Sequence, residues 1–163
     1  MSAPDPDSAV QWLDDDEQAA WLALLEVGSG LFDALTADLR QLGGLTLEDY
    51  EVLHLLSIHD ERRLRVGTLA DQLLASRTRL SQRLDRLTER GWVRRERCPD
   101  DGRAINVVLT DEGYSTLVEL APRHLESVRR LVFDHLSRDD ARAIATGLGK
   151  VAAHLHDLRG CAD

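Results

Sequence analysis

Leucines set the rhythm of this chain. Trp21, Leu24, Leu25, Leu31, Leu35, Leu39 and Leu42 recur at helical spacing and predict a long first helix. Asp14 to Asp16 precede it, where exposed backbone N–H groups and the helix dipole favour anions. Gly43-Gly44 should end it. Thr46 opens a second helix with Tyr50, Leu53 and Leu56 on one face, and "HDERRLR" then permits a short strand near Leu64. A third helix is expected from about Thr68 to Leu74, with Leu69, Ala70 and Leu73 inward. After a tight corner Ser76 is a good N-cap for a fourth, which Gly91 should stop. Two strands, Trp92–Arg97 and Ala104–Leu109, bracket the turn "CPDDGR". Thr110 caps a fifth helix reaching about Asp134, with a kink expected at Pro122. Ser137, with Asp140 three residues on, starts the sixth.

Two of these elements carry candidate chemistry. On a wheel of about 100° per residue, Leu80, Leu84 and Leu87 of the fourth helix fall together and face the core. Thr78, Gln82 and Asp85 lie roughly opposite, with Arg79 and Arg86 on one shoulder. Arginine can grip guanine, glutamine can read adenine, and hydroxyls serve bases or phosphates. Braced by the third helix, this is the arrangement of a helix-turn-helix. An ordinary amphipathic hairpin with a solvated face fits the same spacing. The strand pair that follows adds a wing. In its second strand Ile105, Val107 and Leu109 alternate with Ala104, Asn106 and Val108, so one face should be apolar. Asp101 lies within reach of Arg103 at the turn, and an arginine on a thin turn suits a narrow minor groove.

Charge sharpens this picture. The total is −9, which argues against nucleic acid until its distribution is considered. Ser76 to Arg103 holds nine arginines and five acids, a local +4 that leaves −13 for the remainder of the −9 chain. No continuous run of about 18 apolar residues occurs, so no membrane span is expected. The acidic N-terminus lacks the pattern of a signal peptide. Residues 1–13, with Pro4 and Pro6, read as a flexible arm. Cys98 and Cys161 form neither a disulfide framework nor a metal-ligand spacing. The six histidines are scattered, and His154 and His156 point to different helix faces. With no phosphate loop or nucleophile motif, no metal, cofactor or enzymatic activity is expected, and the cytoplasm is the expected location.

The last helix places Ala141, Ile144, Leu148, Val151, Leu155 and Leu158 at spacings alternating between three and four, an a/d stripe. Such a stripe fits either a partner chain or the first helix of the same chain.

The segments "RVGTLADQL", "SRTRLSQRLDRLTERGWVRR", "DDGR" and "VVLTDEG" stand in the order and spacing of MarR-family transcriptional regulators, and "GGLTLEDYEVLHLL" looks like that family's second helix. The resemblance covers roughly residues 15–158. It implies a mostly α fold with a small β-hairpin wing, a dimeric winged helix-turn-helix on a palindromic operator of double-stranded DNA. It divides residues 14–163 into a winged lobe, 46–110, and dimerisation helices, 14–42 and 111–158, within one domain. It further implies DNA contact along Ser76, Arg77, Thr78, Arg79, Ser81, Gln82 and Arg86, with Arg103, aimed by Asp101, in the minor groove.

Family members often bind a small aromatic or lipophilic effector, and repression relieved by such a ligand is the role implied here. Trp21, Phe32, Tyr50 and His54 are the candidate pocket residues. Two alternatives remain open: a redox switch at Cys98, whose thiolate Arg95 and Arg97 would favour, and a winged-helix protein-interaction module that uses no DNA. At Cys98 family members often carry an acidic residue.

Overall fold

The computed structural model describes residues 10–98 and 104–160. Helix α1 runs Asp15–Gly43, α2 Leu47–Ser57, α3 Val66–Gln72, α4 Arg77–Glu89, α5 Asp111–Leu131 and α6 Arg138–Gly160. Strands β1 (Arg63–Arg65), β2 (Val93–Arg97) and β3 (Ile105–Leu109) form one antiparallel sheet in the order β1-β3-β2. The mostly helical winged helix-turn-helix expected from the sequence is what the structure shows. Residues 1–9 of the expected arm lie outside the described residues. The chain divides into two units, Met1–Ala34 and Leu35–Asp163.

The helix starts follow local chemistry. Asp14 and Glu17 cap α1 reciprocally: the Glu17 N–H donates to Asp14 Oδ1 at 2.8 Å and the Asp14 N–H to Glu17 Oε2 at 3.0 Å. Thr46 and Asp49 form the same box on α2, and Ser137 and Asp140 on α6. At α4 the Ser76 hydroxyl accepts from the Arg79 N–H at 3.3 Å. Thr110 starts α5 by accepting from the Gly113 N–H at 3.0 Å, while its hydroxyl donates to the Gly91 carbonyl at 2.7 Å. That one side chain fastens α5 to the end of α4. Helix α5 runs through Pro122 and stops at Leu131, a few residues short of the expected end; a 3-10 turn, Phe133–His135, takes over.

The core of the second unit gathers Leu39, Leu53, Leu56, Leu69, Leu80, Leu84 and Leu87, each almost fully buried. Burying a leucine contributes roughly 2 kcal/mol. The sheet differs from the sequence expectation in one respect. Val107, Val108, Leu109 and Asn106 are all buried, whereas Ile105 is exposed. Strand β3 is central, with Leu64 of β1 opposite Val107 on one edge and Arg95 of β2 opposite the same residue on the other. Both its faces are covered, so apolar and polar positions do not alternate along it. Strand β2 begins one residue later than expected, at Val93. Trp92 precedes it, half-buried, with the Arg90 guanidinium 4.3 Å over its ring.

The first part of α1 is exposed at Trp21, Leu22, Leu24, Leu25, Val27 and Phe32. Although no continuous apolar run occurs, α1 is long and apolar enough by composition to cross a membrane, because its alanines and glycines dilute few charges.

Candidate nucleic-acid interface

The α3–α4 corner shapes the site. Leu74 adopts φ 49°, a left-handed conformation that costs a branched residue about 1 kcal/mol or more. The Leu74 N–H donates to the Asp71 carbonyl and the Ala75 N–H to the Ala70 carbonyl, a Schellman closure of α3. Ser76 follows at once as the N-cap of α4, so the chain turns in four residues. Gly91 closes α4 in the same way with φ 74°.

On α4 the division read from the sequence holds. Leu80, Leu84 and Leu87 are buried; Ser76, Arg77, Thr78, Arg79, Ser81, Gln82, Asp85 and Arg86 are exposed. The structure therefore brings the α4 candidates onto one accessible surface. Asp101 and Arg103 lie outside the described residues.

The arginines divide into two groups. Arg83 is largely buried and sits with its Nε 3.5 Å from Asp49 Oδ1; Arg86 Nη2 shares that oxygen at 3.4 Å. Arg90 donates to the Gly43 carbonyl at 3.2 Å, and Arg94 to Glu96 at 2.7 Å. Arg95 Nη1 donates to Asp85 Oδ1 at 2.6 Å and Nη2 to the Ser81 carbonyl at 3.1 Å. Four of these five join α4 or β2 to another element, while Arg94 pairs within β2. Arg79 and Arg97 have no ion pair among the described residues. The local +4 thus overstates the cations free to meet phosphate. Burial, with Glu48 nearby, pushes the Glu51 carboxyl up, while Arg83 pulls the other way.

Cys98 is buried at the base of the wing. The Arg65 guanidinium lies 3.7 Å from its sulfur. Of the two arginines expected to flank it, Arg95 turns to Asp85 instead, and a cation reaches the thiol from the end of β1.

Of the four pocket candidates, Trp21 and Phe32 are exposed in the N-terminal unit. Tyr50 and His54 belong to the second unit, one helical turn apart on α2, with ring centroids separated by 6.3 Å. Tyr50 is buried and meets His124 of α5 at 4.2 Å. His124 escaped the sequence reading. Its signal is the spacing Gly113, Leu117, Leu120, His124 and Ser127, a buried stripe of α5 in which histidine takes an apolar position. Its Nδ1 is buried without a hydrogen-bond partner. Burial, with His54 adding to it, lowers its pKa below the ordinary histidine value. Nearby, a cleft of about 350 Å³ runs between the end of α1 and α5, lined by Asp38, Gln41, Arg123 and Arg130 among others.

The α6 stripe is exposed in the single chain: Ile144, Leu148, Val151, Leu155 and Leu158 are each at least 42% accessible, and Ala141 is half-buried. The end of α6 reaches back to the corner before α4, where Arg159 donates to the Ala75 carbonyl at 3.2 Å.

Residues 43–104 match the family model of the MarR family. The chain is similar to AbsC, a MarR family transcriptional regulator from Streptomyces coelicolor, at 40% identity and a TM-score of 0.83, covering 93% of this chain and 99% of AbsC. It is similar also to Sco3205, a MarR family transcriptional regulator of the same organism solved in complex with DNA, at 37% identity and a TM-score of 0.84, covering 90% and 91% of the two chains. The HTH-type transcriptional regulator PecS of Dickeya dadantii is 32% identical over 91 residues; the match spans 56% of this chain and about half, 54%, of PecS. The winged helix-turn-helix geometry and these likenesses agree: the chain belongs to the MarR family of transcriptional regulators.

Proposed function

We propose that the protein is a homodimeric, sequence-specific binder of double-stranded DNA that represses transcription until a small ligand releases it. The observation that carries this reading is the exposed face of α4. It presents Thr78, Arg79 and Gln82 together, on a fold matching Sco3205, a protein crystallised with DNA. Helix α4 enters the major groove and Arg103, steadied by Asp101, the minor groove. Arg103→Ala should weaken binding to a duplex enriched from a random pool by about 1–3 kcal/mol. Unchanged affinity would remove the wing from the interface, and a pool with no enriched sequence would favour a protein-interaction module.

The dimer reading is supported by the exposed apolar stripe of α6 and the exposed apolar face of α1. A patch of this kind on a single chain marks an interaction surface. A twofold dimer sets the two α4 helices about 34 Å apart on a palindromic operator. Helices 14–42 and 111–158 form the dimerisation region of the proposed single domain, and 46–110 its winged lobe. The effector is aromatic or lipophilic. Supporting this, α2 and α5 bring the rings of Tyr50, His54 and His124 together, with an unpartnered imidazole nitrogen able to orient a polar group.

A further inference from the structure

Thr78, Gln82 and Asp85 are four and three residues apart and share one exposed face of α4. At 1.5 Å per residue they span about 10 Å, comparable with the width of the major groove, about 12 Å. Asp85 is out of place on such a surface, because a bare carboxylate repels phosphate. It is not bare here. The Arg95 guanidinium donates to Asp85 Oδ1 at 2.6 Å and to the Ser81 carbonyl at 3.1 Å, so one planar group grips both a side chain and the backbone of α4. Arg95 itself is fixed in β2 by pairing opposite Val107 of the central strand. The grip offsets the charge and fixes the carboxylate's direction. The Asp85 side chain nevertheless stays 55% exposed, and its other oxygen has no partner among the described residues.

We propose that Asp85 reads a base, with Oδ2 accepting a hydrogen bond from the exocyclic amino group of cytosine in the major groove, a role that rests on the DNA-binding reading of α4. A lone acceptor suits cytosine, which offers N4–H₂ there; adenine pairs its amino donor with an acceptor, N7, that a carboxylate would oppose. Arg95 is the positioning residue. It holds Oδ1 so that Oδ2 alone faces the base, and it cancels the repulsion between the carboxylate and the backbone.

The test is sequence selection from a random-sequence duplex pool by the full-length wild type, Asp85→Asn, Arg95→Lys and Arg95→Ala, each first shown to melt cooperatively. The wild type should enrich cytosine at a position that Asp85→Asn no longer selects, with about tenfold discrimination lost there and the other positions kept. Arg95→Ala should blur the same position, and Arg95→Lys should retain part of the preference. If Asp85→Asn enriches the same cytosine as the wild type, Asp85 reads no base. If Arg95→Ala lowers affinity while leaving the preferred sequence intact, Arg95 is only a structural tie and its positioning role is refuted. A wild type that enriches no sequence overturns the DNA-binding reading itself, and this role with it. Enrichment by the wild type with an unaltered Asp85→Asn preference overturns this role alone.

Discussion

Gly113 lies so close beneath the carbonyl oxygen of Trp92 that a β-carbon at 113 would overlap it. The approach is enforced from both sides. Thr110 accepts from the Gly113 N–H while donating to Gly91, and the Thr110 N–H donates to the Trp92 carbonyl at 3.0 Å. The end of α4, the start of β2 and the first turn of α5 meet at this point. The "LTDEG" motif is therefore a packing requirement as much as a helix start. Gly113→Ala should destabilise the fold by about 2–3 kcal/mol, because backbone rather than a flexible side chain must move. Chemical denaturation measures it; a variant within about 0.5 kcal/mol of wild type would show that the junction yields.

His124 makes stability depend on pH. Burial holds its pKa below 6.5, the ordinary histidine value, so the folded protein keeps it neutral where the unfolded chain takes up a proton. The unfolded state then binds more protons, and stability rises with pH in that range. The contribution is fully present above about pH 6.5 and is lost on acidification below it. Thermal midpoints recorded from pH 7.5 downward should fall less steeply for His124→Phe than for wild type. Parallel profiles would mean that the buried imidazole is charged or hydrated when folded.

Leu148 and Leu155 sit seven residues apart on the exposed α6 stripe. If the stripe is a dimer seam, two aspartates there place unpaired charges in an apolar interface. Leu148→Asp/Leu155→Asp should sediment as monomer or fail to fold. A well-folded dimer from the double variant would move the interface elsewhere.

Much of this architecture was legible in the sequence because its signals are local. The burial of Leu80, Leu84 and Leu87 follows from spacing alone, and Ser76, Thr110 and Ser137 cap helices through side chains within three residues of their partners. What stayed hidden depends on distant pairing. Three residues of β1, Arg63–Arg65, turn β3 into a central strand, along which both Asn106 and Val108 are buried. Counting arginines gave a basic patch. Only the fold reveals that Arg83 and Arg86 share Asp49, that Arg90 caps α1, and that Arg95 holds Asp85. His124 was masked by its type, since a histidine in an apolar stripe looks like an interruption until Tyr50 is seen against it.

The central claim, that α4 reads base sequence, is tested most directly by titrating wild type and Thr78→Ala/Gln82→Ala against an enriched duplex and a scrambled duplex, each across a range of salt concentrations. The wild type should prefer the enriched duplex, with log affinity falling linearly with log salt at about −0.9 per phosphate contacted. The double variant should lose that preference and bind both duplexes alike while keeping the salt slope, since phosphate contacts position and base contacts specify. A double variant that retains the full preference, or a wild type that binds both duplexes equally, would contradict the account.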